Sequence, residues 1–221
     1  MIRFARRAAL CLALSLVSLA SAAAPTPCKG LDAAGLAKLK ITMKPVKTYC
    51  FTDKSGSYQV YLTEKLDRFP GKAPLSTVLE AQIVKIPATG SPVISTTVRA
   101  TSTTSEAGGY FSSKLLELSD IDGDGLVDPI VVFRFCEKDG NGGYDEDPFS
   151  GRMKTVIVHK GAKASVDAIT GTLDNERSTK GDAAYFALPA KVQSYLVKKF
   201  GGIYSAKQFG YDNSKGFKPT K

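Results

Sequence analysis

The residues best placed to do chemistry are the aspartates of Asp120-Ile121-Asp122-Gly123-Asp124-Gly125-Leu126-Val127-Asp128. Carboxylates at alternate positions around a glycine turn repel one another unless a cation sits among them. Oxygen ligands alone suit a hard cation, and calcium accepts about six to eight of them in a flexible cage. The expected ligands are the side chains of Asp120, Asp122, Asp124 and Asp128 and the main-chain carbonyl of Leu126. Metal binding would couple to folding of the segment, so a structural role for Ca2+ is expected over a catalytic one.

The spacing matches the first nine positions of an EF-hand loop, with Gly125 at the sharp turn. Position 12 is Val131, where an EF-hand needs a bidentate glutamate, and Pro129 with the β-branched run after it opposes an exiting helix. The loop instead resembles the strand-flanked calcium loops of FG-GAP-type repeats, which lead straight into an apolar strand. Such loops recur once per blade in propellers; this chain has one copy, which excludes a propeller. A second acidic run, from Asp139 to Asp147, could supply further ligands by folding back, with Asp145 or Asp147 as the choice, or could be a glycine-rich surface loop.

Signals for catalysis are weak. His159, the single histidine, falls in a strand pattern and reads as a partly exposed strand residue. No Gly-x-Ser-x-Gly elbow accompanies it, and no phosphate-cradling glycine loop is present. Paired carboxylates could hydrolyse a glycan, but most of them lie in the two acidic runs. Tryptophan is absent, which weakens carbohydrate stacking; Tyr49, Tyr58 and Tyr61 on one hairpin read as packing residues.

The elements that must hold the acidic loop are mostly strands. Residues 46–52 and 58–63 flank the turn at 53–57 and form a hairpin. Residues 77–86 and 93–100 read as strands, the second threonine-rich and exposed. Residues 102–109 read as polar and flexible. The near-continuous apolar run 130–135 predicts a central strand buried on both faces. Residues 154–159 and 164–170 form another hairpin. A short helix is expected over 32–40. A C-terminal helix is expected over 189–200, with Val192, Leu196 and Phe200 on one face and Gly201-Gly202 beyond its end. Residues 66–74 read as a loop, and 212–221 as a frayed tail. The fold class is α+β, mainly β: an antiparallel sheet domain with a C-terminal helix.

Arg3, Arg6 and Arg7, an apolar run over 8–19 and small residues at 20–22 read as an export signal, leaving one domain over 23–221. The apolar run is shorter than the about 20 residues a membrane span needs. Subtracting three arginines from 30 basic residues leaves 27 against 21 acidic ones, a net +6. Scattered lysines argue against nucleic acid; a basic exported protein can meet anionic envelope polymers. Cys28, Cys50 and Cys136 remain, an odd number, with no Cys-x-x-Cys pair. Cys50–Cys136 is the favoured disulfide, since both fall in strand-like runs.

Residues 49–56, the run from Leu118 into the strand ending near Cys136, and residues 154–161 together resemble a poorly characterised exported bacterial family labelled surface polysaccharide biosynthesis proteins. The Asp139–Asp147 run departs from that pattern. The resemblance implies a role in envelope polysaccharide metabolism and brings no assigned active site. The expected function is a periplasmic or secreted, calcium-binding, non-catalytic accessory protein. Its expected partner is an envelope protein or anionic polysaccharide. An inhibitor or immunity protein against a toxin, and a glycan-acting hydrolase, are the alternatives.

Overall fold

The computed structural model describes residues 25–67, 73–145, 147, 150–171 and 173–221; the expected export signal lies outside them. The described residues form ten strands: β1 (Pro45–Asp53), β2 (Gly56–Asp67), β3 (Leu75–Ile86), β4 (Val93–Thr101), β5 (Glu106–Phe111), β6 (Glu117–Ser119), β7 (Asp128–Glu137), β8 (Arg152–His159), β9 (Ala162–Ile169) and β10 (Ser178–Gly181). Three helices join them: α1 (Ala33–Lys38), α2 (Ala183–Ala187) and α3 (Ala190–Ser205). All strands belong to one sheet of order β1-β2-β3-β5-β7-β8-β9-β10, with β4 also on β3 and β6 also on β7. Every strand pairing is antiparallel. This is the mainly β, α+β class expected.

Two cores lie on opposite faces of β7. Val131, Phe133 and Phe135 point into a core shared with Val60, Leu79 and Val98, so the β1–β4 part of the sheet folds over the β5–β8 part. Ile130 and Val132 point the other way, into a core with Val192, Leu196 and Phe200 of α3. Nine of the ten residues of β7 are therefore buried. Strict alternation between two apolar layers is why this segment reads as a continuous apolar run.

Several details depart from the sequence reading. α3 runs through Gly201-Gly202 to Ser205. Two glycines cost a helix about 1 kcal/mol each relative to alanine, but Ile203 beyond them is buried. A Cβ on Gly201 would stand 3.2 Å from the Phe217 ring, so the small residue admits the returning tail. The 212–221 tail is docked rather than frayed: Thr220 exchanges backbone hydrogen bonds with Thr179 and Gly181 at 2.8 Å, and Phe209 and Tyr211 just before the tail are fully buried. Residues 106–111 form β5, not a flexible segment. Gly109 belongs there because a Cβ would lie 2.4 Å from the Arg134 carbonyl, and close backbone approach is a glycine role in strands.

The disulfide is Cys28–Cys50, with Cα atoms 5.8 Å apart, and Cys136 remains a buried thiol. The expected Cys50–Cys136 bond is overturned by sheet order: β1 and β7 are separated by β2, β3 and β5. Cys28 instead lies along the outer edge of β1, where its N–H donates to the Thr48 carbonyl (3.1 Å).

Candidate metal centre

The β6–β7 connection, residues 120–127, crosses the end of the sheet where the β1–β2 and β8–β9 hairpins also turn. Asp120, Asp122 and Asp124 each offer a carboxylate oxygen within 4.8 Å of the others, a group that can hold a metal ion. The loop's own backbone shapes the group. Asp120 Oδ1 accepts the N–H groups of Gly123 (2.8 Å) and Asp124 (3.0 Å), and its Oδ2 that of Gly125 (2.7 Å). Asp122 Oδ1 accepts from Asp124 (3.1 Å), and Asp124 Oδ1 from Leu126 (2.8 Å). Gly123 and Gly125 hold φ of +83° and +85°, a region L side chains rarely adopt. Asp122 Oδ2 and Asp124 Oδ2 face the ammonium of Lys160.

Asp128 sits differently. It is 1 % exposed, and both its oxygens are engaged inside the protein. Oδ2 accepts the Ile121 N–H (3.0 Å), and Oδ1 lies 2.8 Å from His159 Nδ1. A carboxylate can only accept, so Nδ1 carries the proton. Two rungs inward, Ile130 pairs with Ile157, and the same register brings Asp128 opposite His159. His159 Nε2 stands 3.9 Å from Asp122 Oδ2. The histidine is thus buried and joins Asp128 to the loop, rather than standing as a partly exposed strand residue. Leu126 donates its N–H to Asp124 and lines a neighbouring cleft.

The Asp139–Asp147 run does not fold back over this centre. It follows the opposite end of β7, about 30 Å of strand away at 3.3 Å per residue. Asp139 Oδ1 accepts the N–H groups of Asn141 and Gly143, a local turn, and the Asp145 N–H donates to the Glu137 carbonyl. Neither Asp145 nor Asp147 belongs to the triad.

Residues that sequence reasoning passed over complete the surroundings. Asp53, at the β1–β2 turn, accepts the Val127 N–H at 3.2 Å. Lys54 donates to the Asp124 carbonyl, Lys191 to the Asp122 carbonyl (2.7 Å), and Lys160 pairs with both Asp122 and Asp124. The available signal was positional: Asp53-Lys54 and Lys160-Gly161 are both hairpin tips.

The local field matches this arrangement. The Leu126 N–H, then the Lys160 ammonium, hold the Asp124 carboxyl below its ordinary range. The hydrogen bond to Asp124 and its charge raise the Lys160 ammonium in turn. Burial opposes the charged form of Asp53, but hydrogen bonds from Ser55, Val127 and Gly56 outweigh it and keep the carboxyl low. Burial pushes Asp128 up, only partly offset by His159 and Ile121.

A cleft of about 220 Å³ opens beside the loop, between Leu126, Val127, Lys160 and the stacked rings of Phe51 and Tyr58, whose centroids are 4.8 Å apart. Among the described residues, no helix is long and apolar enough to cross a membrane. No family model, curated protein or solved structure matches this chain.

Proposed function

We propose that this protein is an exported, non-catalytic binding protein of the cell envelope whose 120–127 loop is clasped by calcium. The convergence of Asp120, Asp122 and Asp124 carries the reading. An all-oxygen donor set on a glycine-containing turn suits calcium better than magnesium, which demands a tight octahedron and gives up its water reluctantly. The bound ion would supply charge compensation; the chain's own residues do the positioning. Asp128, braced by His159, fixes where the loop enters the sheet, and the Asp120 hydrogen bonds set its turn.

Export is supported by the N-terminal basic, apolar and small-residue pattern and by the Cys28–Cys50 disulfide, since such bonds persist in oxidising compartments. The cleft beside the loop supports a binding role, because ordering of residues 126 and 127 would set one of its walls. A polysaccharide as ligand rests on the family resemblance of residues 49–56, 118–136 and 154–161.

Calorimetric titration of the chelator-stripped protein with calcium, beside Asp122→Ala and Asp124→Ala, tests the reading. Saturable binding in the parent and its loss in both variants are expected. No heat and no thermal shift up to about 1 mM calcium would sink the calcium reading. Sedimentation with purified surface polysaccharide, with and without calcium, tests the binding role; no co-sedimentation in either condition would remove it.

A further inference from the structure

Two arginines on neighbouring strands, the buried Arg134 and the half-buried Arg152, are treated in opposite ways. Arg152 of β8 is paired twice, to Glu106 at 2.8 Å and Asp167 at 2.9 Å, and lies 4.0 Å over the Phe135 ring. Arg134 of β7 is 5 % exposed and lies 4.7 Å over the Phe209 ring. Its Nη2 donates to the main-chain carbonyls of Asp147 (3.0 Å) and Ser150. Its Nη1 has no hydrogen-bond partner. Among the described residues, arginine ion pairs use Arg99, Arg152 and Arg177, not Arg134. Burying a cation is costly unless it is paired and fully hydrogen-bonded. The Asp147 charge acts on Arg134, but among the described residues Arg134 has no ion pair and its Nη1 is unpartnered, so its place beside a cavity points to a ligand.

Arg134 lines a cavity of about 750 Å³, within the range of small-molecule sites. The cavity lies toward the Glu137 end of β7, away from the acidic loop. Among the described residues, no aspartate or glutamate lines it. Lys114 stands at its exposed rim with Ser112 and Ser113 beside it, and Leu115 and Met153 give apolar wall. Lys47 reaches the same wall through Ser113 Oγ (2.6 Å). Two acidic groups act on residues that line it: Glu64 accepts the Phe111 N–H (3.3 Å), and the charge of Asp147 acts on Arg134, as do Tyr110, Cys136 and Tyr211.

We propose that this cavity binds a small organic anion. Its carboxylate or phosphate group lies against Arg134 and Lys114, and a short apolar body lies on Leu115 and Met153. The site is independent of the calcium reading. One cation deep in the cavity and one at its mouth select charge, while the apolar walls exclude bare inorganic ions.

Four probes of equal chain length decide the question by titration calorimetry: hexanoate, hexyl phosphate, hexanol and hexylammonium. Saturable binding of hexanoate or hexyl phosphate is expected, with the neutral and cationic analogues at least about tenfold weaker. Preference between the two anions tells a planar from a tetrahedral head group. Lys114→Glu, at an exposed position, should weaken the anion at least about fivefold, and Arg134→Met should abolish its binding. The proposal fails if neither anion saturates up to about 10 mM. It fails also if hexanol or hexylammonium binds as tightly, or if folded Arg134→Met retains full affinity. Should Arg134→Met not fold, unchanged affinity in Lys114→Glu overturns the proposal and weakened affinity sustains it.

Discussion

The Lys160 ammonium stands 3.0 Å from Asp124 Oδ2 and 3.5 Å from Asp122 Oδ2. It occupies the side of the acidic loop where a cation would bridge those two oxygens. A metal ion bound there would compete with the lysine for the same charge. Lys160→Gln should tighten calcium binding by roughly two- to fivefold, the modest scale of an exposed ion pair. The difference should narrow as salt is raised. Paired titrations at low and physiological ionic strength check this; an affinity unchanged or weakened in the variant would separate the ammonium from the metal position.

Asp128 and Asp122 should behave as different kinds of residue. Removing the Asp128 side chain strands the Ile121 N–H and the His159 Nδ1–H in the interior. Asp128→Ala should cost about 2–4 kcal/mol of stability with or without calcium. Asp122→Ala should leave the calcium-free protein nearly as stable as the parent and remove only the calcium-dependent gain. Urea melts of both variants in chelator and in calcium tell the brace from the ligand.

Alternation and turn chemistry made much of this fold readable. Residues 130–135 announced a strand buried on both faces, and the 160–163 connection announced a hairpin; its turn is tighter than expected, only Lys160-Gly161, both with positive φ, 51° and 79°, as a type I′ turn requires. The triad was legible because its spacing is local. What escaped depended on distant partners. β5 hides behind Gly108 and Gly109, which admit the close approach of the Ser76 and Arg134 backbones respectively. α3 passes two glycines because Ile203 has a core to enter. The Cys28–Cys50 pairing depends on which strand lies next to which, as does the meeting of Asp128 with His159. Local pattern does not encode sheet order.

The Cys28–Cys50 bond closes a loop with a sequence separation of 22 residues. Constraining a loop of that size in the unfolded chain stabilises by about 3 kcal/mol in the chain-entropy account. The paired substitution Cys28→Ala/Cys50→Ala should lose about 2–4 kcal/mol. The calcium affinity should change little, because Cys50 lies within β1 and away from the triad. Denaturant melts and calcium titration of the double variant check both statements; a large loss of calcium affinity would tie the N-terminal segment to the loop.

Glu117 fastens α3 to β6. It is 7 % exposed and accepts hydrogen bonds from Lys199 (2.8 Å), Ser119 (2.7 Å) and Tyr195. Burial opposes its charged form, but these three donors and the Lys199 charge outweigh burial and hold the carboxyl below its ordinary value of 4.5. The same contact, with burial, pushes the Tyr195 hydroxyl up. Because the folded pKa is the lower one, the unfolded chain takes up the proton first as pH falls. The stabilisation is present in full above about pH 4.5. It drains away as pH drops through the folded value. Glu117→Gln should therefore cost about 1–3 kcal/mol at pH 7, and the gap between parent and variant should narrow as pH falls below about 4.5. Urea melts across pH 3–7 measure the gap. A gap that stays constant down to pH 3 would place the effect in packing of the amide rather than in the carboxylate's charge.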